Sequence, residues 1–207
     1  MVESRDPHLE ALVDKTSGLQ PLRRLLLFVA GALVVTALSV GVVSRQSLVG
    51  ILAILFGLSL LADLMRLRWT HANRMFFRAF VSLASPREAG KIASSTWYVL
   101  GVLLVFAFFP QRVAMAATLI LAVADPAGNL VGRSLGRRPF GTGTIEGTTA
   151  LILASFLAAL VFFPMGVAAV TAIAVGLAET REWRFDDNLT VPLAAATVLS
   201  LLSAAIL

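Results

Sequence analysis

The 207-residue chain has no cysteine, one tyrosine and two histidines, and only 14% of its residues are charged. Without cysteine there is no disulfide framework, no thiolate metal site and no cysteine nucleophile. Soluble domains carry about 25% charged residues, so the scarcity of charge argues against an ordinary soluble domain. The first twenty residues lack an apolar stretch behind a basic start. Glu3, Arg5, Asp6, Glu10, Asp14 and Lys15 are spread through them instead, which argues against a cleaved signal peptide.

What is abundant is apolar. Hydrophobic residues make up 58% of the chain and the mean hydropathy is +0.87, against about 45–50% apolar in soluble proteins even with glycine counted. They gather into runs too long for core helices, so the expected class is an all-α, polytopic integral membrane protein. Uncharged stretches cover 25–43, 46–62, 92–111, 113–132 (interrupted only by Asp125), 147–178 and 188–207. The stretch 147–178 is too long for one crossing of a hydrocarbon core about 30 Å thick. Phe163-Pro164-Met165-Gly166 at its middle is turn chemistry, and dividing it there gives about seven spans. Residues 64–91 mix Trp69, Met75, Phe76, Phe77, Phe80 and Leu83 with arginines, the composition of an interfacial amphipathic segment. With no internal repeat or low-complexity linker, 22–207 reads as one transmembrane domain behind a cytosolic tail, 1–21.

The formal charge of +5 and the pI near 11.0 would by themselves suit a nucleic-acid binder. The basic residues stand at the ends of apolar runs, however, as topology signals and contacts to membrane lipids do, so no nucleic-acid partner is expected. With the N-terminus inside, Arg5, Lys15, Arg23 and Arg24, then Arg66, Arg68, Arg74, Arg78, Arg87 and Lys91, then Arg133, Arg137 and Arg138, and finally Arg181 and Arg184 all fall on the cytoplasmic side. Only Arg45 and Arg112 are left outside. The expectation is therefore a cytoplasmic N-terminus, an external C-terminus and the inner membrane of a prokaryotic cell.

An ionisable residue inside a span costs at least a few kcal/mol and marks a functional site by default. Asp125 is that residue. Asp-Pro is the N-cap and N1 pairing of a helix start, so a break of the fourth span is expected at Pro126. Helical spacing places Asp125, Gly128, Asn129, Gly132 and Arg133 on one face. For the glycines alone, a GxxxG packing surface is an equally good reading.

The loop Arg133-Ser-Leu-Gly136-Arg137-Arg138-Pro-Phe-Gly141-Thr-Gly143-Thr144-Ile-Glu146-Gly147 joins three arginines to glycines whose amides can approach an anion, which suits a polyphosphate. It is neither a Walker loop nor a dinucleotide fingerprint. Glu146 is either an ordinary acid at a helix start or, opposite Asp125, a metal ligand. Further on, Asp186-Asp187-Asn188 supplies hard oxygens of the kind that bind Mg²⁺ with substrate phosphates. The alternative there is a helix N-cap at Asp187 or Asn188, with Pro192 tolerated in the first turn. His8 and His71 read as tail and interface residues.

Three blocks in this order carry a resemblance: Ala124-Asp-Pro-Ala-Gly-Asn-Leu-Val-Gly-Arg-Ser-Leu-Gly-Arg137, Gly143-Thr-Ile-Glu-Gly-Thr-Thr-Ala150 and Asp186-Asp-Asn-Leu-Thr-Val-Pro192. They are similar to the GDPxAxxxGRxxG, xxxEGxxA and DDNLTxP motifs of the polyprenol kinase family. That family includes dolichol kinase, phytol kinase and CTP-dependent diacylglycerol kinase, and is related to phosphatidate cytidylyltransferase. Residues 87–98 also look like the segment before the family's third span, so the likeness covers about 87–192. Ala124 stands where the family usually has Gly. Gln20, Arg23-Arg24 and Leu27 stand near the family's acid, Arg-Lys and His.

The resemblance implies transfer of the γ-phosphoryl group of CTP to a membrane lipid alcohol, a prenol or diacylglycerol, at the cytoplasmic face. It implies that Asp125 serves the metal and the nucleotide; the chemistry of phosphoryl transfer adds Asp186 and Asp187 as ligands of Mg²⁺ (or Mn²⁺) and makes Glu146 a further ligand or, with Asp125 catalytic, the group that accepts the alcohol proton. The nucleotide and its phosphates would meet Lys91, Asn129, Gly132, Arg133, Gly136, Arg137, Arg138, Gly143, Thr144 and Asn188. Assembly as a homodimer is left open. The alternatives are a cytidylyltransferase, whose Lys-Arg…Lys-Asp and His-Gly-Gly…Asp-Arg runs do not appear here, and a small transporter using Asp125 in mid-membrane.

Overall fold

A computed structural model describes residues 7–16, 20–181 and 185–206. Arg5, Glu182, Trp183 and Arg184 lie outside the described residues. The helices are α1 (Pro7–Asp14), α2 (Pro21–Ser39), α3 (Arg45–Arg68), α4 (Thr70–Ala79), α5 (Ser94–Phe108), α6 (Gln111–Ser134), α7 (Ile145–Leu160), α8 (Met165–Glu179) and α9 (Asp187–Ile206). A 3₁₀ turn, Pro86–Ala89, precedes α5, and a two-residue ribbon, β1 (Pro139–Phe140) antiparallel to β2 (Gly143–Thr144), precedes α7. Helices α2, α3, α6 and α9 are long and apolar enough to cross a membrane, while α5, α7 and α8 are apolar but shorter. The chain is an all-α polytopic membrane protein. The long stretch 147–178 is divided as expected, α7 ending at Leu160 and α8 starting at Met165 behind Pro164.

Helix α6 is the axis of the bundle. Some 61% of its apolar window is buried, against 17% in α2 and in α3, and it packs on α7, α2, α9 and α5. Lipid tails are as apolar as leucine, so helices in a bilayer associate by close packing over small residues. Ala114, Ala116, Ala117, Ala122 and Ala124 of α6 are completely buried. A Cβ added at Gly31 of α2 would stand 2.6 Å from the Ala122 Cβ. One added at Gly128 would stand 2.9 Å from the Leu151 Cβ of α7, and one at Gly147 would stand 3.0 Å from the Gly132 Cα. The GxxxG pair is thus a packing surface, the seat of α7 on α6.

Two prolines sit inside helices without ending them. The expected break at Asp125-Pro126 does not occur, because α6 runs through it from Gln111 to Ser134. Proline removes one N–H from the ladder, and a helix clamped by neighbours on several sides tolerates that loss. Pro192 lies in the second turn of α9, not the first. It cannot donate to the Asn188 carbonyl four residues back, and α5 approaches that carbonyl at Gly101, where a side chain would collide with it.

Arg45 donates to the carbonyls of Phe106 (2.8 Å) and Ala107 at the end of α5. Arg112 donates to the Phe162 carbonyl just after α7 and lies 5.0 Å from the Phe163 ring centroid. The two basic residues assigned to the outer side are thus both spent on helix C-termini, whose last carbonyls have no partner in the helix. Segment 64–91 comprises the last turn of α3, then α4 and the 3₁₀ turn. Helix α4 buries Asn73 and Phe77 and exposes Met75, and Trp69 and Phe80 at its two ends are also exposed.

A candidate active site at one end of the bundle

The ends of helices that a seven-span topology would put on one side meet at a single cavity of about 960 Å³. Its wall takes Gln20 from just before α2, Arg23, Arg24 and Leu27 from α2, Leu67 from α3, and Asp125, Asn129 and Arg133 from α6. Arg87 and Lys91 come from the segment before α5, Ser94 and Trp97 from α5, and Asp186, Asp187 and Asn188 from the start of α9. With Glu88 and Arg181, four carboxylates and six cationic side chains therefore share one space at the end of an apolar bundle.

Local structure explains how each is placed. Asp125 is half-buried, its Oδ1 accepting from Asn129 Nδ2 at 2.8 Å one turn later. Arg23, Arg24 and Asp186 act on it electrostatically. Asp186 is the cap of α9: its Oδ1 accepts from the Asn188 amide at 3.0 Å and from Asn188 Nδ2 at 2.7 Å. The cap expected at Asp187 or Asn188 is one residue earlier, because the helix starts at Asp187 and the second amide of a helix is the one a capping oxygen reaches. Asp186 Oδ2 accepts from Ser94 Oγ at 3.0 Å. Glu88, 4% exposed, accepts from the Ser94 amide at 3.0 Å and from the Ser85 amide at 3.1 Å, and pairs with Arg23 at 3.4 Å. A chain of contacts from Arg23 through Glu88 and Ser94 to Asp186 thus links α2, the 3₁₀ turn, α5 and α9 across the cavity.

A second charged cluster lies behind this wall. Asp63 and Arg66, each 3% exposed, pair at 2.6 Å. Arg66 donates to the carbonyls of Glu88 and Lys91, both at 2.6 Å, and to Asn73 Oδ1 at 3.2 Å, and lies 4.4 Å from the Phe76 ring centroid. Asp63 Oδ2 accepts from the Ala93 amide at 3.0 Å and from Thr96 Oγ1 at 2.7 Å. The cluster ties the segment that carries Arg87 and Lys91 to α3 and α4.

The arginine loop is placed differently from the α6 acid. Glu146 does not line the cavity; its carboxylate accepts from the Arg137 amide at 3.1 Å and the Arg138 amide at 3.4 Å. Thr144 caps α7, its Oγ1 accepting from Gly147 at 3.1 Å. Gly132 and Gly136 pack near the Thr144 side chain, and Gly143 faces open space. None of Arg137, Arg138, Gly143 and Thr144 is in the cavity wall. The ribbon turns at Gly141, whose φ of +57° suits glycine, and lies against the Thr180 carbonyl. Thr142 there donates to the Glu179 carbonyl at 2.9 Å. Thr142 and Arg181 form a rim of the cavity, and the arginine loop lies beyond it.

Among the described residues, no three carboxylate or histidine side chains group closely enough to hold a metal by themselves. Mg²⁺ is usually held by one or two carboxylates together with phosphate oxygens and water. Asp125, Asp186 and Asp187 in one cavity with arginines fit that need.

No protein-family model matches the chain, and no solved structure matches it. Curated relatives do. Over 161 residues, 68% of this chain and 74% of the relative, it is 24% identical to CTP-dependent diacylglycerol kinase 1 of Schizosaccharomyces pombe. Over 135 residues, 56% of this chain and 58% of the relative, it is 34% identical to phytol kinase of Synechocystis. It is 28% identical over 107 residues to CTP-dependent diacylglycerol kinase 1 of Eremothecium gossypii, of which it spans about a third (34%). The chain is thus similar, over part of its length, to proteins named as lipid kinases.

The cavity wall also holds basic residues that sequence reasoning counted as topology charges. Arg23, Arg24, Arg87 and Arg181 line the cavity, and the resemblance gave a signal for the first two, which stand near the family's Arg-Lys pair. Ser94 and Glu88 carried no signal, since a serine and an acid beside an apolar run are ordinary. Asp63 was hidden just past the end of the second apolar stretch.

Proposed function

We propose that this protein is a CTP-dependent lipid kinase, transferring the γ-phosphoryl group to the hydroxyl of a membrane lipid alcohol, a prenol or diacylglycerol. One observation carries the reading: Asp125, Asp186 and Asp187 share a cavity with Arg23, Arg24, Arg87, Lys91 and Arg133 at the end of membrane-spanning helices. Phosphoryl transfer asks for little covalent chemistry from protein and much positioning and charge stabilisation. The names of the relatives favour a kinase over a cytidylyltransferase or a transporter.

In this reading the arginines and Lys91 hold the triphosphate, and the α6 face places Asp125 where the lipid hydroxyl meets it. Asp125, Asp186 and Asp187 would hold Mg²⁺ (or Mn²⁺), which when bound supplies charge neutralisation between the phosphates. The hydroxyl oxygen bonds to the γ-phosphorus, the bond to the bridging oxygen breaks, CDP leaves and the hydroxyl proton passes to a cavity carboxylate. Glu146 serves at one remove, holding the arginine loop through the amides of Arg137 and Arg138. In this reading the cavity faces the cytoplasm, which the distribution of basic residues supports.

The test offers purified protein Mg²⁺ and CTP labelled at either the γ- or the α-phosphate, with phytol, geranylgeraniol, a long polyprenol, diacylglycerol and phosphatidic acid. γ-Label in an alcohol product, lost in Asp125→Asn, is the expected result. α-Label in the phosphatidic acid product would move the chain to cytidylyl transfer. No transfer from CTP or ATP would turn attention to transport.

A further inference from the structure

Helices α2 and α3 follow one another in the chain but make few close contacts with each other. Helix α2 packs chiefly on α6 and α3 chiefly on α5, and at the inner end Leu27 of α2 and Leu67 of α3 both line the one cavity, so the two helices stand on either side of a cleft there. Both are apolar, largely unburied spans, and a cleft between such helices opens sideways into hydrocarbon. The separation is built in at the inner end. The Asp63–Arg66 pair ties the last turns of α3 to the backbone of 88–93, while the Tyr98 hydroxyl donates to the Leu27 carbonyl at 2.9 Å and holds α2 at its own place against α5.

The cleft leads to the cavity. Leu27 of α2, Leu67 of α3 and Trp97 of α5 are apolar members of a wall that is otherwise charged. Arg23 and Arg24, also in that wall, precede Leu27 by about one turn of α2. The wall thus passes from apolar to cationic along α2, the order that an amphiphile lying along the cleft would need.

We infer that the α2–α3 cleft is the lateral entrance and chain-binding site for the lipid substrate, its hydrocarbon held between Leu27 and Leu67 and its polar end directed to Asp125. The inference rests on the kinase reading above and adds to it which helices receive the lipid. The other apolar groove, lined by Leu119, Val123, Ala127, Ala154, Leu157 and Ala158, lies on the face of α6 turned away from Asp125, since 119, 123 and 127 are on the opposite side of the helix from 125. A lipid held there would not present its hydroxyl to the cavity.

The experiment uses the full chain in lipid nanodiscs with a geranylgeraniol and a diacylglycerol that carry a photoreactive group in the hydrocarbon, the labelled positions being mapped by mass spectrometry. Alongside it, the apparent KM values for lipid and for CTP are compared in Leu27→Trp, Leu67→Trp and, on the exposed outer face of α7, Leu153→Trp. Labelling on the inner halves of α2 and α3 is expected. So is a lipid KM raised about tenfold in the first two variants, the usual effect of overfilling an apolar site, with CTP KM unchanged and Leu153→Trp like the parent. Labelling concentrated on α7 and α8, links between two copies of the chain through α2 or α3, or an unchanged lipid KM would overturn the inference while γ-transfer by the parent left the kinase reading standing. If the parent transfers nothing, the kinase reading fails, and the photolabelling pattern alone then decides whether a lipid occupies the cleft.

Discussion

Two acidic clusters lie within this bundle, and they differ in what completes them. Around Asp63 and Arg66 the partners are all protein: each other, three backbone groups, Thr96 and Asn73. Around Asp125 and Asp186 the carboxylates line an open cavity together with arginines from several elements. A fully paired, buried ion pair fixes geometry, and breaking it leaves a charge without compensation. Carboxylates and cations facing a shared space are arranged for a ligand that brings both phosphate and metal. The difference separates charge that holds a site from charge that forms one.

The largest effect is expected in the closed cluster. Arg66→Met strands Asp63 in a buried place and should lower stability by about 3–5 kcal/mol, whereas pairing it with Asp63→Leu should restore much of the loss. Thermal inactivation in detergent measures both, and equal losses in the single and double variants would show that the pair is not a closed unit. Asp125→Asn should do the reverse, leaving the thermal midpoint near that of the parent while γ-transfer falls about 10²–10³-fold. A large drop in its midpoint instead would place Asp125 with the structural charges. Gly141→Ala forces a side chain at positive φ toward the Thr180 carbonyl, a strain of about 1–3 kcal/mol that should loosen the cavity rim and show as a higher CTP KM. Ser94→Ala removes one hydrogen bond to Asp186, worth about 1 kcal/mol, and should weaken CTP use severalfold without altering lipid KM.

Much of the comparison was legible in sequence on one side only. Asp125 was evident because an acid inside an apolar run is costly and needs a reason, and Asp186-Asp187-Asn188 because adjacent hard ligands are uncommon at the mouth of a span. Asp63 and Arg66 were not, since an acid and an arginine at the end of an apolar run look the same whether they face water or each other. The arginine loop and Glu146 were legible as a group, but their position outside the cavity wall depends on the seat of the ribbon at Thr180. The break expected at Pro126 was a local inference that tertiary packing overrode.

By itself, the sequence determined the membrane class, the division of 147–178 by Pro164, and the residue types available for binding a phosphate and a metal. Hydropathy and charge act locally along the chain, and a bilayer accepts few other solutions. Only the tertiary structure decided that Arg23, Lys91, Asp125 and Asp186, up to about 160 residues apart in the chain, share one cavity, because that depends on how closely small residues let α2, α5, α7 and α9 approach their neighbours. It decided also that α2 packs chiefly on α6 and α3 chiefly on α5 rather than on each other.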